Sequence, residues 1–264
     1  MGLVSAGRAS HQSFLTRLPS LQAPMGPIKA TSFKSAKEMA KKFRAAYSVS
    51  HYSALEMCGL IWVSVPQTAL EGTVQDLAAQ MPVHRTMIVL CDCLQDSSWP
   101  KDLSKAGARI ASLNLVEGAR EKVFVAEGDA EVLSLLKRLL WADRRQLIQM
   151  AQGAKPLYFA GISAATEVVL PWVDSSVRWL RSAGFTRADA VRIADALVTG
   201  KLKDYTNTGA KCWRESHAAE LEHLLLENLE VLKARDLKLA QAFAQGVRLA
   251  LEHFSPKRSS VAGA

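Results

Sequence analysis

Gly2-Leu3-Val4-Ser5-Ala6-Gly7-Arg8-Ala9-Ser10 opens the chain, and its reading decides the fold. A short apolar run leads at once into a turn of small residues and the start of a helix. A dinucleotide-binding domain carries G-x-G-x-x-G at this place, with a pyrophosphate held at the helix N-terminus. Here the pattern is Ser5-x-Gly7-x-x-Ser10. It keeps the middle glycine, the one that lets the backbone approach a pyrophosphate. Ser5 stands at the first glycine position, where a side chain resists positive φ. Ser10 adds bulk where the helix must come close to the strand. Ser5, Ala6, Gly7, Arg8 and Ala9 are the candidate phosphate-side residues, with Arg8 placed to reach a phosphate.

Outward from this stretch, short apolar runs alternate with helical segments. Strands are expected at 28–31, 47–51, 59–66, 86–91, 108–113 and 122–126. Helices are expected at 10–18, 35–46 and 68–79. Gly59-Leu60-Ile61-Trp62-Val63-Ser64-Val65-Pro66 is nearly all apolar, as suits a strand buried on both faces. Strands alternating with helices imply right-handed βαβ units and a parallel sheet. From Asp129 onward almost everything reads as helix: 131–152, 157–183 broken only by Pro171, 187–198, 217–233 and 236–253. The expected class is α/β. A Rossmann-type parallel-sheet domain over 1–128 is followed by an all-α domain over 129–264.

The bulk properties narrow the function. The chain has 264 residues, 49% hydrophobic and 22% charged, which is ordinary for a globular protein. No uninterrupted apolar run of about 18 residues occurs, so no membrane span is expected. The start lacks the basic-then-apolar layout of a secretory signal. The four cysteines, Cys58, Cys91, Cys93 and Cys212, have no structural-zinc spacing, and they read as reduced and cytoplasmic. Cys91 and Cys93 are one residue apart in an extended stretch and so face opposite ways, which argues against a metal or a disulfide there. The net charge of +8 is shared between the two halves, with no basic tail and no aromatic-basic stripe. No nucleic-acid partner is expected.

This order of parts resembles the superfamily of 6-phosphogluconate dehydrogenase-like, NADP-linked reductases, to which pyrroline-5-carboxylate reductase and the deazaflavin-dependent NADP reductases are related. More narrowly, it resembles the Rossmann-like family with a helical C-terminal domain of unknown function. The segments that carry the likeness span nearly the whole chain. They are the opening run, Val63-Ser64-Val65-Pro66-Gln67-Thr68-Ala69-Leu70, Gly107-Ala108-Arg109-Ile110-Ala111-Ser112-Leu113, Ala126-Glu127-Gly128, Lys155-Pro156-Leu157-Tyr158 and Gly209. The resemblance places Val65, Pro66 and Gln67 beside the nicotinamide of a bound cofactor. From the residues alone, Pro66 also reads as a simple strand stop.

An NAD-preferring site needs an acidic residue at the end of the second strand. Thr31-Ser32-Phe33-Lys34-Ser35 offers none. Ser32 and Lys34 instead suit a 2′-phosphate, so the expected cofactor is NADP(H). Lys37, Lys41 and Lys42 read as a solvated helix face.

Relatives in the narrower family carry His-Pro after the sixth strand and Tyr-His at the start of a long helix. This chain has Asn114-Leu115 and Tyr158-Phe159 in their place. Neither Asn nor Phe replaces an imidazole in proton transfer. Asn114, Lys155 and Tyr158 are the remaining candidates for the chemistry, with Ser163 also polar. The competing reading makes Lys155 helix-start surface and Tyr158 an interface residue. The resemblance implies an NADP(H)-dependent oxidoreductase acting on a small carbonyl, imine or hydroxy substrate in an interdomain cleft. The alternative is a catalytically inactive nucleotide-binding or regulatory relative. The helical half is rich in Ala, Val, Leu and Trp, more apolar surface than one layer of helices hides, so a homodimer is expected.

Overall fold

Alternation along the strands builds two cores. In the computed structural model, which describes all residues except 7–13, 117, 119–121, 210, 215–217 and 255–264, successive strand residues point to opposite faces of one sheet. Leu3, Leu60, Trp62, Val89, Cys91, Ala111 and Leu113 enter one core. Val4, Ile61, Val63, Ile88, Leu90 and Ile110 enter the other. The strands are β1 (Gly2–Ser5), β2 (Pro27–Ala30), β3 (Tyr47–Val49), β4 (Leu60–Ser64), β5 (Met87–Cys91), β6 (Arg109–Leu115), β7 (Val123–Gly128) and β8 (Gln146–Gln149). They form a single sheet in the order β3-β2-β1-β4-β5-β6-β7-β8.

Helices cover both faces, as a doubly wound sheet requires. Here α1 (Phe33–Ala40), α2 (Gln67–Gln80), α3 (Lys101–Lys105) and α4 (Ala130–Ala142) lie on the sheet. Met39 and Ala40 of α1 and Val132, Leu136 and Leu140 of α4 pack into the first core. Leu70, Val74 and Leu77 of α2 and Leu103 of α3 pack into the second. Of the helix expected over 10–18, only its end is described. It is a short 3-10 turn, Phe14–Arg17, followed by another at Pro19–Leu21. Phe14 meets Phe124 edge to face, with ring centroids 5.0 Å apart.

The α/β class holds, and the structure alters two details within it. First, β7 runs antiparallel to β6, with Asn114 opposite Val125 and Leu115 opposite Phe124. A parallel partner needs a crossover of about a dozen residues or more, and the link from β6 to β7 is too short for one. Second, the helix expected over 131–152 ends at Ala142, and β8 follows it. Arg144 takes the left-handed conformation, φ 56°. Asp143 turns its carboxylate to the amide and hydroxyl of Ser20, at 2.9 and 2.7 Å. The chain then pairs with β7 in parallel, through Gln146 opposite Val123 and Ile148 opposite Val125.

Gly128 closes β7 with φ 129°, and a Cβ there would sit 2.4 Å from the Ile110 carbonyl oxygen. That position therefore has to be glycine.

The chain divides into two compact units, Met1–Ala165 and Thr166–Ala264. The first contains the sheet and α5 (Lys155–Ala165). The second is helical, with α6 (Leu170–Ser182), α7 (Arg187–Thr208), α8 (Lys211–Arg214), α9 (Ala218–Lys233) and α10 (Leu237–Phe254). Within it α6 packs on α7 and α9 on α10. Pro171 sits in the first turn of α6, where a missing amide hydrogen costs little.

Candidate active site

In an open α/β sheet, ligands bind outside the carboxyl ends of the strands where the strand order reverses. Here β1 has β2 on one side and β4 on the other, so the crevice lies at β1 and β4. The three neighbouring strands end there in small residues that pair in register, Ser5 with Ala30 and with Ser64. Ser5 is buried in extended backbone. It is absent from the positive-φ positions, so the strain expected of a serine at the first glycine position does not arise. Gly7, Arg8, Ala9 and Ser10 lie outside the described residues. Ala6 is partly buried beside the second core.

Ser32 and Lys34 sit at the other side of β1, past the end of β2. The Ser32 hydroxyl caps α1 by accepting from the Ser35 amide at 3.1 Å. Lys34 is exposed. Serine before a helix favours this capping bond. The hydroxyl oxygen is thereby engaged, and it also lies 2.9 Å from the Ser35 hydroxyl oxygen, with either hydroxyl able to donate.

Val65 is buried, and Pro66 leads into α2. The Gln67 side chain does not hang free. Its carbonyl oxygen accepts from the Leu94 amide at 3.0 Å, and its amide donates to the Gln95 side chain at 2.8 Å. This clasp ties the end of β4 to the segment after β5.

That segment, residues 92–98, organises the site. Asp92 takes φ 48°, a strained position for a residue other than glycine. Its carboxylate accepts from the Leu115 amide at 3.0 Å, and its own amide donates to the Leu113 carbonyl at 2.9 Å. The strap is held from three more sides. Fully buried Lys155, at the start of α5, donates to the Cys93 carbonyl at 2.7 Å and the Gln95 carbonyl at 2.6 Å, with the Cys93 sulfur at 3.5 Å. Asn114 donates through Nδ2 to the same Cys93 carbonyl at 3.2 Å. Buried Glu127 accepts from the Ser97 amide at 2.8 Å and hydroxyl at 2.7 Å, and from the Ser112 hydroxyl.

The structure thus brings Asn114 and Lys155 onto one acceptor atom. An ammonium carries three donors, and three acceptors surround this one. Lys155 is a buried brace, which differs from the surface position weighed in the sequence.

Two polar atoms here have no partner among the described residues, the Asn114 Oδ1 and the Tyr158 Oη. Both are buried, and buried polar atoms are ordinarily satisfied. Burial pushes the Tyr158 phenol up, and the nearby Asp92 charge pushes it further, so it stays protonated at neutral pH. Burial also pushes the Cys93 thiol up against the opposing pull of Lys155. Cys91 is driven well above the ordinary thiol range, mainly by burial. The two thiols do lie in opposite cores, as their spacing requires.

Sequence reading missed Asp92, Gln95 and Glu127. The available signals were Cys91-Asp92-Cys93 directly after a buried strand, and a Glu inside the apolar run of β7.

No family model matches the chain, and no curated protein sequence matches it. Solved structures do. A reductive aminase from Aspergillus terreus, in complex with NADPH and ethyl-5-oxohexanoate, superposes with a TM-score of 0.67 at 15% identity, covering 95% of this chain and 92% of that one. An imine reductase from Myxococcus stipitatus in complex with NADP+ gives 0.68 at 11% identity, covering 96% and 95%. The chain shares its fold with these two enzymes. A pyrroline-5-carboxylate reductase from Coxiella burnetii gives 0.55 at 10% identity, covering 96% of each chain. The likeness to this group of reductases, first read from short segments, extends over both units of the chain at the level of fold.

Proposed function

We propose that the protein is an NADP(H)-dependent oxidoreductase acting on a small carbonyl, imine or hydroxy substrate. The observation that carries this reading is a pair of buried polar atoms, unpartnered among the described residues, on two residues associated with one braced strap. Asn114 is tied to the strap through its amide, and Tyr158 lies on the helix that Lys155 begins and feels the Asp92 charge. Asn114 Oδ1 and Tyr158 Oη lack, among the described residues, the partners that buried polar groups require.

The residues suit the cofactor. Small side chains at Ser5, Ala30 and Ser64 leave room at the strand ends, and the run over Ser5, Ala6, Gly7, Arg8 and Ala9 would face its phosphates. Lys34, with Ser32, would meet a 2′-phosphate. Val65, Pro66 and Gln67 would border the nicotinamide, with Gln67 acting through its clasp on the strap. When bound, the cofactor supplies or accepts the hydride. Tyr158, protonated at neutral pH, gives its phenolic proton to the substrate oxygen or nitrogen. Asn114 Oδ1 accepts a hydrogen bond from the substrate or from the cofactor carboxamide. Lys155 positions both by holding the strap, its own donors being engaged.

Calorimetric titration with NADPH tests the first half of this reading. Binding at micromolar to millimolar concentration is expected, and no heat and no thermal shift at millimolar NADPH would refute it. NADPH oxidation against a panel of imines and keto acids tests the second half.

One observation favours the inactive relative. Asn114 and Phe159 stand where the resembled family has histidines, and Lys155 has no donor to spare. NADPH binding without oxidation against any substrate of the panel would select that reading.

The helical part is proposed to form a homodimer. Leu170, Val191, Leu197, Leu202 and Tyr205 of α6 and α7 are exposed, a larger apolar display than a monomer usually carries. The run Lys155–Ser182 even meets the length and composition of a membrane-crossing helix. Turns at 166–169 and the charges of Asp174, Arg178 and Arg181 favour burial against a second copy instead. The four unpaired cysteines accord with a cytoplasmic location.

A further inference from the structure

We propose that the groove between the end of α4 and the start of β8 binds a nucleoside phosphate, with the base stacked on Trp141 and the phosphate held by Lys137 and Arg144. The groove has a volume of about 820 Å³ and is lined by Lys137, Trp141, Arg144, Arg145, Gln146 and Leu147. That size is typical of small-ligand sites. It is separate from the crevice at β1 and β4, because β8 lies at the far edge of the sheet, four strands from β4. The proposal does not depend on the oxidoreductase reading.

Four features converge on this ligand. The Trp141 indole is 79% exposed, an unusual display for the largest apolar side chain. Lys137 lies one turn earlier on the same face of α4. The helix then ends in a left-handed turn. The Arg144 amide donates to the Trp141 carbonyl at 2.9 Å and the Arg145 amide to the Leu140 carbonyl at 2.8 Å. The residue placed in that turn, at φ 56°, is an arginine, where glycine fits the backbone best. The one acid in the turn, Asp143, gives its carboxylate to Ser20. Among the described residues no carboxylate lines the groove.

Cations at a helix C-terminus complement the helix dipole. That accounts for positive charge, but not for a bare indole or for arginine in a glycine conformation. An aromatic face beside guanidinium and ammonium groups matches a base with its phosphate.

The test is titration of AMP, followed by calorimetry and tryptophan fluorescence, with and without saturating NADPH. The wild-type protein is expected to bind AMP in both conditions, with quenching that is lost in Trp141→Phe. Arg144→Gly removes the guanidinium and relieves the backbone strain, so it is expected to be at least as stable as wild type and to bind AMP about tenfold more weakly. Trp141→Ala is expected to lose at least as much. A short single-stranded oligonucleotide titrated in parallel separates the sources. Tighter binding than AMP, with the same dependence on Arg144, identifies a nucleic acid strand as the ligand, and weaker binding identifies a free nucleotide. AMP affinity unchanged in Arg144→Gly and Trp141→Ala, or no binding at millimolar AMP in the presence of NADPH, overturns the proposal. NADPH binding is read in its own arm, so its failure is seen separately.

Discussion

Substituting Glu127 separates a hydrogen-bonding anchor from simple volume. The carboxylate is fully buried and takes donors from three groups: the Ser97 amide at 2.8 Å, the Ser97 hydroxyl at 2.7 Å and the Ser112 hydroxyl. In Glu127→Ala the Ser97 amide cannot turn elsewhere, and an orphaned buried amide costs about 1–3 kcal/mol. The two hydroxyls rotate to weaker partners and lose about 0.5–1 kcal/mol each. The emptied volume adds about 1 kcal/mol, and relief of the buried charge offsets part of the total. The expected net loss is about 3–4 kcal/mol. In Glu127→Gln one oxygen keeps the Ser97 amide and the Ser112 hydroxyl. The new amide donates to the Ser97 hydroxyl, which turns to accept, so the expected loss is about 1 kcal/mol or less. Urea unfolding reads the difference. At a slope of about 1–3 kcal/mol per molar urea, the Ala midpoint falls by roughly 1–3 M and the Gln midpoint by a fraction of that. An Ala variant within about 1 kcal/mol of wild type, or a Gln variant as unstable as Ala, would refute the reasoning. Because Ser97 closes the strap that Lys155 braces, weaker NADPH binding is expected to accompany the Ala variant.

Lys155→Met fills the same space but leaves the Gln95 carbonyl without its ammonium and the Cys93 carbonyl with Asn114 alone. A loss of about 2–4 kcal/mol is expected in thermal or urea unfolding. Tyr158→Phe removes a buried hydroxyl that has no partner among the described residues, so stability should stay within about 1 kcal/mol of wild type. If Tyr158 donates the proton, kcat falls by about 10²–10⁴ with the fold intact, and an unchanged kcat would remove it from the chemistry. The Cys91 and Cys93 thiols are raised by burial from the ordinary 9.0. Their contribution to stability is therefore full below about pH 9 and lost as pH rises further, because only the unfolded chain ionises there. Stability measured from pH 7 to 10 should fall at the alkaline end, less steeply in a Cys93→Ala variant. Light scattering after size exclusion should return twice the chain mass, and a monomer at micromolar concentration would exclude the proposed dimer.

The strands and most helices of the first unit were legible in the sequence because each is written locally. Residues 60–63 are apolar on both faces, as a strand in mid-sheet must be, and Leu70, Val74 and Leu77 repeat at helical spacing. What was not legible depended on partners distant in sequence. The edge strand β8 is only Gln146-Leu147-Ile148-Gln149, with no alternation strong enough to separate it from the helix before it. Its extended form comes from the backbone of β7 and from the Asp143–Ser20 contact. The β6–β7 reversal followed from a short link, a constraint visible in the sequence once the strand ends are known.

The site divides in the same way. Asn114, Lys155 and Tyr158 were chosen by position in the chain. The sharing of one strap by Asn114 and Lys155 was decided by tertiary structure, because the Cys93 carbonyl that joins them is a backbone atom with no sequence signature. Glu127 entered the sequence reading only as one residue of Ala126-Glu127-Gly128, and in the structure it anchors residues 92–98 through Ser97. Composition and periodicity alone determined that this chain makes a doubly wound sheet and a helical unit, since burial pattern and local propensity act within a few residues. Which polar groups end up sealed from water without partners, and therefore able to meet a ligand, is a property of packing between elements far apart in the chain.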